Sequence, residues 1–264
     1  MALENVDSID LFDEYGRLIP VGIQAPVHQE VRRYYQLNQT PFDLDQIYRR
    51  TTQFLGQAED ISLEEFKTQV QHILDDLGSD HTTKNILKGT LVPFLIPMQA
   101  SQSIGEIFHS QLMPGLKASY EKYFPKYQLI DHSLGQWTKD IKFNPASRQD
   151  EMIRHLDQKS QVGVMFPCVS EYSIPAAYEA LNTVPKKIIL TGTLGLMSAL
   201  IGSPYLLYND TAYSPMLWAS GDINDDKDFG LCIEAYGYNL TVNSRPNLGQ
   251  VSEYWWHGLQ VLSK

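Results

Sequence analysis

Cys168 and His132 are the side chains of this 264-residue chain best suited to nucleophilic chemistry, a thiol and an imidazole able to deprotonate it. Each follows a short apolar run and opens a polar turn. Residues 162 to 167 lead into Cys168, Ser170 and Glu171, and residues 126 to 131 lead into Asp131, His132 and Ser133. If the two runs are neighbouring strands, His132 is base or ion-pair partner to the thiol and Asp131 or Glu171 orients the imidazole. The same positions suit a small buried cysteine and an ordinary turn histidine, because free cysteines are among the most buried residue types.

Other polar residues follow other apolar runs, where ligands of open α/β sheets bind. Ser101 and Ser103 follow the first run, Thr191, Gly192 and Thr193 the fourth, and Asn209 and Asp210 the fifth. The small residues at 101–105 and 191–195 would offer backbone N–H groups to a carboxylate or phosphate at a helix N-terminus. Caps and tight turns select the same residue types without any ligand.

Several chemistries are disfavoured. The chain has no G-x-G-x-x-G, no G-x-x-x-x-G-K-[ST] and no G-x-S-x-G. Its seven histidines form no HxH or HExxH pair, so metal ligation is not expected. Asp222, Asn224, Asp226 and Asp228 have calcium-loop spacing, but Lys227 stands where the loop needs Gly and Ile233 where it needs Glu. Two cysteines make no disulfide framework, and Cys232, inside an alternating stretch, is not expected on the rim with Cys168. No cofactor is identified by any motif.

The elements that would position these residues are short apolar runs alternating with helical segments from residue 90 onward. That pattern predicts an α/β fold, with a mostly parallel sheet flanked by helices in three layers and a C-terminal antiparallel strand pair. Strands are expected at 91–98, 126–131, 162–167, 187–191 and 204–208; Pro93 and Pro97 cannot donate ladder hydrogen bonds, so the first is either an edge strand or not a strand. Helices are expected at 103–122 with a kink at Pro114, and at 146–158, 174–182, 194–202 and 248–262. A hairpin or turn around residues 14 to 16 and helices at 43–55 and 62–78 make an N-terminal region, 1–87, ahead of a sheet domain, 88–264, unless the chain is one continuous domain. Within 229–242 the apolar parity shifts at Gly237, which implies a turn or bulge.

Composition narrows the partners. With 31 acidic and 21 basic residues the formal charge is −10, which argues against nucleic acid or an anionic membrane. The acidic N-terminus lacks the basic and apolar parts of a secretory signal, so a cytoplasmic location is expected. Residues 188–209 carry no charge, yet Gly, Ser, Thr and Pro divide them into strand, helix and strand rather than a membrane span. The functional expectation is an enzyme on a small carboxylate- or phosphate-bearing metabolite, using Cys168 and His132 for acyl transfer, hydrolysis or proton transfer. The alternative is a non-catalytic module that binds a small molecule in the strand-end crevice, or self-assembles through C-terminal aromatics such as Trp255 and Trp256.

Overall fold

The computed structural model describes residues 10–30, 32–38, 43–99, 103–133, 140–225 and 229–263. The described residues begin with an extended strap in which Phe12 and Leu18 form an isolated antiparallel bridge around a turn, where a hairpin or turn is expected. Helix α1 (Leu44–Leu55) follows; the Asp43 carboxylate accepts from the Gln46 N–H and Gly56 ends it at φ 105°. Helix α2 (Leu63–Ser79) starts from a reciprocal Ser62/Glu65 capping box and buries Phe66, Val70, Ile73 and Leu77. A 3₁₀ turn, Lys84–Lys88, leads into β1 (Val92–Ile96).

The long helix expected at 103–122 is divided. α3 (Ile104–Ile107) passes through a π turn, Phe108–Leu112, into α4 (Met113–Tyr123). Pro114 lacks an N–H and its ring crowds the preceding turn, and the widened turn accommodates it. β2 (Leu129–His132), β3 (Lys142–Phe143), α5 (Asp150–Leu156) and β4 (Gln161–Ser170) come next. Then follow α6 (Ile174–Ala180), β5 (Ile189–Leu190) and α7 (Thr193–Gly202). The chain finishes with β6 (Met216–Trp218), β7 (Asp222–Ile223), β8 (Gly230–Tyr236), β9 (Asn239–Arg245) and β10 (Trp255–Leu262).

The mostly parallel sheet expected from the alternating pattern is not what forms. The main sheet runs β1-β4-β10-β6-β8-β9-β2 with β5 beside β10, and it is mixed and mostly antiparallel. Its parallel pairs are β10 with β6 and β9 with β2. The main reason lies in residues 255–262. Their aromatic and apolar residues fit a helical stripe, yet they form a strand buried on both faces between β4 and β6. Gly258 sits where the β10–β4 register shifts, the bulge expected of a glycine inside a strand. Residues 204–208 form turns instead of a fifth strand. β1 does lie at an edge, in keeping with Pro93 inside it and Pro97 just after it. The parity shift at Gly237 is the tight turn joining β8 to β9.

Helices cover both faces. Val92, Phe94 and Ile96 of β1 face a core shared with α4 and α7, while Leu95 and β4 residues Val162, Val164 and Phe166 face α2, α6 and the strap. α7 is buried at every position, which explains its uniformly apolar sequence without a membrane. Among the described residues no helix is long and apolar enough to cross one.

Candidate anion-binding cleft

Cys168 and His132 are far apart. Cys168 is on β4 and His132 on β2 at the far edge, with β10, β6, β8 and β9 between them. At about 4.8 Å per strand this is a separation of about 24 Å. Asp131 is exposed and caps its own turn, accepting from the Ser133 N–H and hydroxyl at 2.8 and 2.5 Å. Glu171 does sit just beyond Cys168, buried and at φ 63°, but its Oε1 accepts from the Arg32 N–H at 3.1 Å and orients no imidazole. Burial pushes the Cys168 thiol pKa well up, against a smaller lowering by the Leu259 N–H. Cys232, on β8, is raised by burial as well.

The other sequence-derived positions resolve into caps and turns. Ser103 caps α3 reciprocally with Glu106, and Ser101 lies outside the described residues. Asn209 accepts from the Thr211 and Ala212 N–H groups, and Asp210 beside it is exposed. At Thr191, Gly192 and Thr193 the fold supplies its own anion, because the Thr193 N–H donates to Asp222 Oδ2 at 2.5 Å. A Cβ on Gly192 would stand 2.3 Å from Asp222 Oδ1, so glycine is what admits the carboxylate to the start of α7. Burial raises the Asp222 pKa to about 6, opposed by hydrogen bonds from Thr193 and Gln149. Asp226 and Asp228 of the calcium-like spacing lie outside the described residues. Among the described residues no three His, Cys, Asp or Glu side chains are grouped to hold a metal.

Cys168 nevertheless marks a site. Between the strap and the end of β4 lies a cleft of about 380 Å³. One wall is the strap, contributing Tyr15, Arg17, Arg33 and Tyr35; Lys88 and Gly89 form a second; Cys168, Ser170 and Trp256 form a third. Gly16, at φ 77°, packs so closely on the second wall that a Cβ there would lie 2.5 Å from the Gly89 nitrogen. Arg17 pins the strap. Its guanidinium donates to the carbonyls of His28 at 2.5 Å, Gln29 at 3.1 Å and Ser170 at 3.1 Å, and to Ser170 Oγ at 3.2 Å. Leu18 N–H donates to the Cys168 carbonyl, and the Tyr172 hydroxyl to the Leu18 carbonyl. Burial lowers the Arg17 pKa, while Tyr172, Glu171 and Asp13 raise it.

Charge in the lining of the cleft is one-sided, although Asp13 and Glu171 stand close behind Arg17. Arg17, Arg33 and Lys88 line it, and among the described residues no acidic side chain does, in a chain of net charge −10. Arg33 lies 3.7 Å over the Tyr15 ring, a cation–π contact, and among the described residues no carboxylate forms an ion pair with it. The Trp256 indole nitrogen is buried with no acceptor among the described residues. These groups come from residues 15 to 256, so no local motif announces them.

A second polar cluster absent from the sequence reading lies inside the fold. The His257 Nε2–H donates to the Tyr172 carbonyl at 2.8 Å, which leaves Nδ1 to accept from the Ser220 hydroxyl at 2.5 Å. The ring is fully buried, and desolvation lowers its pKa to about 4 despite the Tyr172 bond. It acts as a neutral brace between β10, the end of β6 and the turn after β4. Trp255 is likewise committed to the core, packed edge-on against Trp218 at 4.8 Å. No protein-family model matches the chain, and neither a curated protein nor a solved structure matches it.

Proposed function

We propose that this protein binds a small anionic molecule in the cleft beneath the strap. One observation carries the reading: among the described residues three cationic side chains and no acidic one line a half-open cleft of about 380 Å³ in a strongly acidic chain. The volume suits a metabolite-sized ligand. Tyr15, Tyr35 and Trp256 favour a planar or apolar body on that ligand, and Arg33 and Lys88 favour a carboxylate or phosphate at its end. Arg17, already bonded to carbonyls, contributes field more than contact. Binding is favoured over catalysis because burial keeps the Cys168 thiol protonated, and a protonated thiol is a poor nucleophile.

Thermal unfolding with benzoate, phenyl phosphate and uncharged benzyl alcohol tests this reading. At ten times Kd a ligand adds about 1.4 kcal/mol, which for a chain of this size raises Tm by about 3 °C. In a Lys159→Gln/Lys186→Gln background, which removes a second basic cavity from the comparison, the anions are expected to raise Tm, and adding Arg33→Gln/Lys88→Gln is expected to abolish the rise. Equal effects of benzyl alcohol, or anion effects that survive that addition, would overturn it.

A further inference from the structure

At the other end of the β4–β10 pair lies a second basic cavity, and we infer that it is a separate site for an aryl or alkyl phosphate. The cleft beneath the strap sits where β4 ends and β10 begins; this cavity, of about 370 Å³, sits where β4 begins, at Gln161, and β10 ends, at Leu262. The inference does not rest on the proposed function of the cleft.

Positive charge converges here by construction. Arg148, at φ 65°, donates to the carbonyls of Leu181, Val184, Pro185 and Ile188, tying down the loop from α6 to β5 that carries Lys186 and Lys187. No carboxylate neutralises that guanidinium among the described residues. Lys187 shares its charge with Asp76 at 2.7 Å, whereas the Lys159 and Lys186 ammonium groups have no ion-pair or hydrogen-bond partner among the described residues. Among the described residues no acidic side chain lines the cavity. Two unpaired ammonium groups beside an uncompensated guanidinium match a dianion better than a single carboxylate, which selects phosphate.

The rest of the lining selects what the phosphate carries. Met152, Ile189 and Leu262 provide apolar wall, with the Met152 side chain buried and its sulfur accepting from the Gln260 amide at 3.7 Å. Inorganic phosphate would leave that surface wet, whereas a ring or short alkyl chain would cover it. The limited volume points to a small molecule rather than an extended macromolecule.

The test uses the full chain with labelled methionine methyl groups, in the Arg33→Gln/Lys88→Gln background so that the strap cleft does not compete. Phenyl phosphate is expected to shift the Met152 methyl signal saturably, and Lys159→Gln/Lys186→Gln is expected to weaken that binding at least about tenfold. Inorganic phosphate is expected to bind at least about threefold more weakly than phenyl phosphate. An unmoved Met152 signal, an undiminished shift in the lysine variant, or equal binding of inorganic phosphate would overturn the inference. Cosedimentation with phosphatidic acid vesicles, abolished by the lysine substitutions, would also overturn it by making a lipid headgroup the ligand.

Discussion

His257 is buried and neutral, so acidifying the solution draws on one identifiable proton. Its pKa falls from 6.5 to about 4 on folding, so the unfolded chain takes up a proton in that window that the native chain refuses. The neutral brace is fully worth its stability above the unfolded value and loses it as pH falls. Integrating the linkage, the loss is about 2 kcal/mol between about pH 7.5 and about pH 5, and about 3 kcal/mol by about pH 4. Asp222 acts in the opposite direction. Its pKa rises from 3.8 to about 6, so the native state keeps a proton that the unfolded chain releases, and that advantage disappears as pH rises through 6. Over the same acidification Asp222 returns about 1 kcal/mol, which offsets part of the His257 loss in the native sequence. Variants separate them. Urea unfolding at fixed ionic strength, comparing the native chain with His257→Gln, should give a stability difference that shrinks by about 2 kcal/mol from about pH 7.5 to about pH 5. With Asp222→Asn the difference should move the other way by about 1 kcal/mol. Parallel profiles for the native chain and both variants would refute the reasoning.

Three further outcomes follow from the same geometry. With Cys232→Ala as background, iodoacetamide should alkylate native Cys168 at least about a hundredfold more slowly than the urea-unfolded chain at about pH 8, and fast native labelling would restore the nucleophile. Arg17→Met should cost about 2–4 kcal/mol in chemical denaturation, since the Ser170 carbonyl is left buried without its charged donor; a loss under about 0.5 kcal/mol would mean the strap is held by other contacts. Gly192→Ala should cost about 2 kcal/mol by driving a methyl into Asp222, and adding Asp222→Ala should recover part of that loss if the clash is the cause.

Local signals in the sequence carry much of the fold. Capping residues at Asp43, Ser62 and Ser103 and the prolines of β1 place helices and an edge strand where sequence reasoning puts them. Strand partners are a different matter, because they are chosen by contacts distant in sequence. Residues 255–262 illustrate the difficulty. A strand covered on both faces needs apolar residues at nearly every position, and that pattern cannot be told from an apolar helix; Gly258 and Val261 were the available hints. Once this strand is placed at the centre and antiparallel to β4, the mostly parallel sheet is lost.

The site was legible only in part. Cys168 and Ser170 do reach a cleft at the end of a strand, as their position after an apolar run suggested. Their role there is set by what faces them. Arg17, Arg33 and Lys88 are unremarkable in sequence, and the folded strap brings them together in a lining that, among the described residues, holds no acidic side chain. Conversely, Thr191, Gly192 and Thr193 have the composition of an anion-binding turn because they do receive a carboxylate, from Asp222 of the same chain.

The most direct test of the account is the indole N–H spectrum of the isotope-labelled protein during titration with phenyl phosphate, in the Lys159→Gln/Lys186→Gln background. The account predicts a saturable shift of the Trp256 resonance, little movement of buried Trp218 and Trp255, and no Trp256 shift once Arg33 and Lys88 are both Gln. An unmoved Trp256 signal, or an identical titration without the two cations, would contradict it.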